Sequence, residues 1–325
     1  MLPILLLTLT SFSQSGEVLR VGTFNCEFLN REKVHIKYGF SFMLENEDLT
    51  LWEKPGFRDE KFLKALIPVA KVIRKMNVDV AVLTEVGDRE DIADLAAELK
   101  RKGCHFPYYH VSDTKDDTFQ HVAVLSKFPL ELVSAKIPGW AFYDPELDDP
   151  EEEQETDVKK ALHVSFNFNN QKINLIGVHL PSERKGHDQD AMRIAVASLV
   201  RRYSIPLLEK GEHLIVAGDL NDRRGEPAIR MIRGREDIFP DLIQTGRRKY
   251  FKPANYKERW TYMYRGERNQ LDYILLSRSL LEACQEEFGV ESDIMHVDFN
   301  RKPNINQPRT SDHRPFIAEL RFKTP

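Results

Sequence analysis

The chain is poor in the chemistry that staples small folds together. Only three cysteines occur, Cys26, Cys104 and Cys284, in 325 residues. They allow one disulfide at most and exclude a disulfide framework, so the fold must hold by packing. No two histidines are spaced i, i+4, and no cysteines pair at metal-ligand spacing, which argues against a zincin-type or structural zinc site. No apolar run is long enough to cross a bilayer as a helix. There is no internal repeat, and no excess of positive charge: the formal net charge is −4. That balance does not advertise a nucleic-acid binder, although local patches matter more than totals. What is present is 41% hydrophobic and 30% charged residues, ordinary for a chain with a large core.

The opening "MLPILLLTLTSFSQSGEVLR" is apolar, then small and polar, with no Lys or Arg before Arg20. Residues 1–15 read as a secretory signal peptide with Ser11, Ser13 and Ser15 near the cleavage site, and 16–325 as one domain. The expected location is secreted or periplasmic.

Short Val/Ile/Leu-rich runs follow: "VLRVGTFN" (18–25), "VDVAVLTEV" (78–86), "HVAVLSKF" (121–128), "ALHVSFNF" (161–168), "KINLIGVHL" (172–180), "HLIVAGDL" (213–220), "LDYILLS" (271–277) and "PFIAELRF" (315–322). Several alternate, and all read as strands. Helical patterns lie between some of them. Phe62, Leu66, Val69, Ile73 and Met76 share one helix face, with Pro68 predicting a kink or a helix start. "REDIADLAAELKRKG" places acids first, bases last and Gly103 as its stop. "DQDAMRIAVASLVRRY" and "EPAIRMIRG" are further helices. The mixture predicts packed sheets with helices outside. Residues 144–157 hold nine acids and no bases, which reads as a solvated loop.

The strand ends share a habit. Asn25 and Glu27 close the first, Glu85 the second, His179 closes "INLIGVH", and Asp219 with Asn221 closes "LIVAGDLN". Asp272 lies in "QLDYILLS", and Asp312 and His313 precede the last strand. Each has a bland alternative, such as a turn cap, a surface ion pair or a satisfied core histidine. Such groups are costly to bury unless paired or metal-bound, so the repetition suggests that they meet. Converging carboxylates require a hard cation, and oxygen donors suit Mg²⁺, with Mn²⁺ or Ca²⁺ as alternatives. Acids, amides and two histidines around a metal suit hydrolysis of a phosphate ester.

The order N-x-E, "LTEV", "VHLPS", "GDLND", "QLDYILLS", "SDHRP" resembles the endonuclease/exonuclease/phosphatase (deoxyribonuclease-I-like) superfamily over roughly residues 18–323. "GDLND" and "SDHRP" are specific in combination. "RWTYMYRGERNQLDYILLS" looks most like its secreted bacterial nucleases. The resemblance implies a four-layer α-β-β-α sandwich of two mixed sheets, with the site at one end. It implies Glu85 as the main metal ligand, helped by Glu27, Asp312 and Asn25. Asn25 and Asn221 would orient the phosphate, and Asp272 would fix the tautomer of His313. Asp219 would position or deprotonate the attacking water, the base being either Asp219 or His313. His179 would contact the phosphate and assist the leaving oxygen. One departure stands out. A Glu orients the histidine equivalent to His179 in the deoxyribonuclease-like branch, whereas "DDTFQHVAVLSKF" offers Phe119 and Gln120 there, with Asp116 or Asp117 as substitutes.

Residues 223–268 carry thirteen Lys or Arg against six Asp or Glu, interleaved with Tyr250, Phe251, Tyr256, Trp260, Tyr262 and Tyr264. Cations and stacking faces suit DNA or RNA. The expectation is a monomeric, divalent-metal-dependent nuclease or phosphodiesterase with nucleic acid as substrate and no stable protein partner. A sphingomyelinase-like lipid phosphodiesterase would use Trp140, Phe142 and Tyr143 in "PGWAFYDPELDD", but the acids there argue against membrane contact. A small-molecule phosphatase is the third reading. A non-catalytic binding module ranks last, because every expected catalytic position is filled.

Overall fold

The computed structural model describes residues 17–41, 49–114, 116–144, 153–182, 187–234, 240–246, 259–285, 289–297 and 302–323. The proposed signal peptide, most of the acidic stretch, and Tyr250, Phe251 and Tyr256 lie outside them.

The first sheet contains β1 (Val18–Leu29), β2 (Val80–Val86), β3 (Tyr108–Val111), β4 (His121–Ser126), β15 (Val290–Ile294) and β16 (Phe316–Arg321), in the order β15-β16-β1-β2-β4-β3. The second contains β5 (Glu131–Ser134), β8 (Ala161–Phe168), β9 (Gln171–His179), β10 (His213–Asp219), β11 (Leu242–Gln244) and β14 (Asp272–Ser277), in the order β11-β14-β10-β9-β8-β5. Both sheets are mixed: β1 runs parallel to β2 and β9 parallel to β10, and their other neighbours are antiparallel. Among the described residues, two small hairpins complete the strands, β6 (Ile137–Tyr143) with β7 (Gln154–Val158), and β12 (Tyr262–Tyr264) with β13 (Glu267–Asn269).

The alternation read from the sequence explains the layers. Val80 and Val82 of β2 and Val122 and Val124 of β4 point inward against Leu162, Val164, Leu175, Ile215 and Ile274 of the other sheet. The odd partners Ala81, Leu83, Ala123 and Leu125 point outward onto α2 (Phe57–Met76) and α3 (Arg89–Arg101). On the far side, Ile176, Val178, Leu214 and Val216 pack under α4 (His187–Glu209) and α5 (Pro227–Arg233). The result is the α-β-β-α sandwich. Each fully buried Val, Leu or Ile contributes roughly 1.5–3 kcal/mol, so these clusters replace cross-links, and all three cysteines are free. Two shorter helices, α1 (Leu49–Trp52) and α6 (Arg278–Ala283), and a 3-10 turn at Val34–Tyr38 fill the edges.

Three sequence readings need correction. β1 continues to Leu29, so Asn25 and Glu27 lie inside it rather than beyond its end. α2 starts at Phe57 and runs through Pro68, because Phe62, Leu66, Val69, Ile73 and Met76 all anchor the same buried face. Packing on both sides of the proline outweighs the one hydrogen bond it removes. The end of the acidic stretch is not loop: Gln154–Val158 pairs with β6 and buries Thr156 and Val158.

Candidate active site

Strand register assembles the centre. Asp219, at the end of β10, pairs with His179 of β9 on one side and with Asp272 of β14 on the other. These residues are separated by 40 and 53 positions in sequence but stand side by side across one sheet edge. The glycine before Asp219 makes this possible. Gly218 has φ +145°, and a Cβ there would sit 1.9 Å from the carbonyl oxygen of Val178. Only glycine lets β10 lie this close to β9 in that conformation.

Asn25 connects this edge to the first sheet. Its Nδ2 donates to Asp219 Oδ2 at 2.8 Å and to Glu85 Oε1 at 3.1 Å, while its Oδ1 accepts from the backbone N–H of Glu27 at 2.8 Å. Glu85 Oε2 accepts from the N–H of Phe28 at 3.1 Å. Glu27, Phe28, Glu85 and Asn221 all have φ between +46° and +55°. Left-handed backbone at non-glycine residues costs about 1–3 kcal/mol each and gathers where side-chain aim matters more than strain.

His313 closes the cluster from the other side. Its Nδ1 lies 2.7 Å from Asp272 Oδ2 and its Nε2 3.8 Å from Asp219 Oδ2. Burial favours the neutral ring, but the Asp272 and Asp219 carboxylates outweigh it and push His313 up to about 10. Asp219 is itself raised to about 7 by burial and by Asp272, with His313 pulling the other way. His313 therefore keeps its proton at neutral pH, while the Asp219 carboxyl is raised toward neutrality. His179 behaves oppositely. Burial, Lys160 and His313 hold it well below its usual range, so its ring is neutral. Its Nε2 is 3.8 Å from Glu85 Oε1 and 3.9 Å from Asp219 Oδ2.

Among the described residues, two groups bring ligand-capable atoms within 4.8 Å of one another: Glu85, His179 and Asp219, and Asp219, Asp272 and His313. Glu27 and Asp312, expected beside Glu85, are not in either group. Glu27 Oε1 is held by Arg309 Nη1 at 2.8 Å, while its Oε2 is buried without a hydrogen-bond partner. Burial, with the Asp312 carboxylate next in weight and Glu85 a smaller contributor, pushes Glu27 up to about 8. A buried oxygen without a partner among mutually repelling carboxylates is an environment that a divalent cation completes. The residues present fit such an ion.

Other expectations fall differently. Asn221 Nδ2 donates to Leu180 O at 2.9 Å, which commits one of its two amide hydrogens to the scaffold. Asp222, beside it, receives the N–H of Ala228 at 3.0 Å and anchors the start of α5. Arg224 Nη2 is tied to Gly246 O and Gln270 Oε1, both at 2.6 Å. Asp116 does not reach His179: it pairs with Lys160 at 3.2 Å, and Lys160 Nζ also donates to Gln120 Oε1 at 2.6 Å. His179 Nδ1 is buried with no hydrogen-bond partner. Sequence reasoning missed Arg309, Ser311 and Lys37, which carried no signal. Tyr262, singled out in the aromatic stretch, has its ring 4.7 Å from that of His313.

The profile of the Endonuclease/Exonuclease/phosphatase family matches residues 22–313, and the chain belongs to that family. It is a metal-dependent hydrolase of phosphoester bonds. Its fold is similar to that of truncated TDP2 from Caenorhabditis elegans (16% identity, TM-score 0.55, covering 94% of this chain and 98% of that one). It is also similar to a family protein from Bacteroides thetaiotaomicron (15%, 0.55, 95% and 99%) and to beta toxin from Staphylococcus aureus (15%, 0.53, 92% and 99%). No curated protein sequence matches the chain.

Proposed function

We propose that the chain is an exported, Mg²⁺-dependent phosphodiesterase that cleaves nucleic acid. The observation that carries phosphodiester hydrolysis is the single amide of Asn25 bridging Glu85 on one sheet and Asp219 on the other. It ties two carboxylates of facing sheets together beside His179 and His313, an arrangement that supports a metal ligand and a proton acceptor at one point.

Glu85 would hold the ion, with Glu27 and Asp312 beside it. Magnesium is bound in a structure of S. aureus beta toxin, which supports that choice. The ion would supply charge stabilisation at a phosphoryl oxygen. Asp219, raised toward neutrality, takes a proton from the attacking water. His313, held as an imidazolium by Asp272, faces the phosphate as a fixed cation rather than as the base. Neutral His179 donates a hydrogen bond from Nε2. Asn221 would orient the phosphate through its second amide hydrogen, whereas both amide hydrogens of Asn25 go to Glu85 and Asp219, so Asn25 acts by holding those two carboxylates in place.

Nucleic acid is favoured by what borders His313. Tyr262 lies against its ring, and the buried Trp260 carries Arg314 3.3 Å from its centroid and Arg268 at 5.2 Å. Tyr264 is exposed at the hairpin tip beneath Arg265. Cations stacked on aromatics suit bases and phosphates. A lipid phosphodiester is the second reading, because Trp140 and Phe142 are 55% and 52% exposed and in edge contact at 4.9 Å. Their strand partners Asp157 and Glu155 oppose an anionic surface.

The test is nicking of supercoiled plasmid with Mg²⁺, with and without EDTA, beside His313→Ala and a sphingomyelin vesicle assay. Nicking lost in EDTA and in the variant supports the reading. Release of phosphocholine without nicking replaces it with the lipid reading. Sequencing the N-terminus of the exported protein tests removal of residues 1–15.

A further inference from the structure

Outside the reacting cluster, one buried cation spans its two halves. Lys37, in the 3-10 turn Val34–Tyr38, is fully buried. Its Nζ donates to the backbone oxygens of Cys26 at 2.7 Å, Glu27 at 3.1 Å and Thr310 at 2.8 Å. Three carbonyl acceptors need three N–H donors, which only the ammonium form provides. Its own carbonyl accepts from the N–H of Arg309 at 2.6 Å. Next to it, Ser311 Oγ donates to Asn25 O at 2.7 Å and accepts from the N–H of His313 at 2.9 Å.

The two segments joined in this way are about 285 residues apart in sequence. One carries Asn25 and Glu27, and the other carries Asp312 and His313. At that point β1 leaves regular pairing: the register to β2 shifts between Asn25 and Leu29, and Glu27 and Phe28 are left-handed. The ladder therefore does not hold Glu27 in place. Lys37 does, through the oxygens on either side of the irregular peptide. A buried ammonium is costly to desolvate unless every hydrogen is satisfied, and here that cost is met by contacts on both segments at once.

We propose that Lys37 and Ser311 form a positioning clamp that sets the spacing between the Asn25–Glu27 pair and the Asp312–His313 pair, without touching substrate. The clamp rests on the reading of those pairs as reacting groups. Lys61 supplies the contrast. It is also buried, but its Nζ donates to Ile305 O at 2.7 Å and links no reacting residue.

The experiment compares Lys37→Met, Ser311→Ala and Lys61→Met in the whole chain. The readouts are kcat and KM on bis(p-nitrophenyl) phosphate, and the rise in melting temperature on titration with Mn²⁺. Misplacement of a reacting group by about 1 Å costs on the order of 10²-fold. Lys37→Met and Ser311→Ala should therefore lower kcat at least about tenfold with KM within about twofold. Both should also need more Mn²⁺ for the same thermal shift, and the double variant should lose less than the product of the single losses. Lys61→Met should lower the melting temperature and leave kcat and the Mn²⁺ response alone. The clamp is refuted if folded Lys37→Met keeps wild-type kcat and Mn²⁺ response, or if Lys61→Met loses as much kcat. Should Lys37→Met not fold, Ser311→Ala decides by the same criteria. If the wild type hydrolyses no diester, the phosphodiesterase reading fails, and the Mn²⁺ titrations still decide the clamp.

Discussion

His313 Nδ1 and Asp272 Oδ2 are 2.7 Å apart and buried, and Asp272 stands beside Asp219 in the same register of the second sheet. One aspartate thus orients the imidazole while its strand neighbour faces the other ring nitrogen. Division of the work between two carboxylates is set by the ladder, not by their chemistry.

Asp272→Asn should remove this orientation. Acid–base and orienting groups of this kind contribute about 10²–10⁴-fold, so kcat on a small diester should fall within that range with KM little changed. Stability should follow the shift of His313 from 6.5 to about 10. The folded state holds this proton more tightly than the unfolded chain. The contribution is therefore complete below 6.5 and is lost as pH rises through about 10. Urea unfolding between pH 5 and 10 should show the deficit of the variant as constant at low pH and vanishing at high pH.

Glu27 offers a second pH signature. Its carboxyl is raised from 4.5 to about 8, so the metal-free fold keeps a proton that the unfolded chain releases. Stability without metal should decline as pH rises from 4.5 to 8, and Glu27→Gln should flatten that slope. A cation needs the ionised form, so the Mg²⁺-induced rise in melting temperature should grow from pH 6 to 9. Calorimetric scans with EDTA or Mg²⁺ measure both.

Glu85→Gln removes charge where Asn25 and Phe28 hold the carboxylate. The Mg²⁺ concentration for half-maximal activity should rise by more than about tenfold, since ligand loss costs at least as much as loss of the groups around a ligand. Melting temperature in EDTA should rise or stay level, because a half-buried like charge has gone.

Gly218→Ala tests the backbone. With φ +145° and the carbonyl oxygen of Val178 only 1.9 Å from where the new Cβ would stand, no side-chain rotation relieves the clash. A loss of about 3 kcal/mol or more is expected, read from urea midpoints, and activity should fall further than stability because Asp219 shifts with β10.

The hairpin offers a test of the nucleic-acid reading. Arg265→Ala with Arg268→Ala should raise KM for plasmid DNA and lower the salt slope by roughly 2, about one per phosphate contact. Hydrolysis of bis(p-nitrophenyl) phosphate should not change. Equal effects on both substrates would place the arginines in the scaffold.

Much of this protein is local and was legible. Alternation of Val, Leu and Ile marked the main strands, and helix faces such as Phe62–Met76 were readable because periodicity is a short-range property. The polar strand ends were visible for the same reason. The small hairpin β12–β13 was not, since a three-residue strand carries too little pattern, and neither was the left-handed backbone at Glu27 and Glu85. Register was the decisive hidden quantity. It put Asp219 between His179 and Asp272 and let Asn25 reach across the sheets, through pairings 40 to almost 200 residues apart. Sequence alone determined the layers, the family resemblance and the candidate residues at the strand ends. Tertiary structure alone decided that Arg309 takes one oxygen of Glu27, that Asp116 serves Lys160 rather than His179, and that Lys37 is buried. A lysine reads as a surface residue in any sequence, and only a folded chain can bring three carbonyl oxygens to its ammonium.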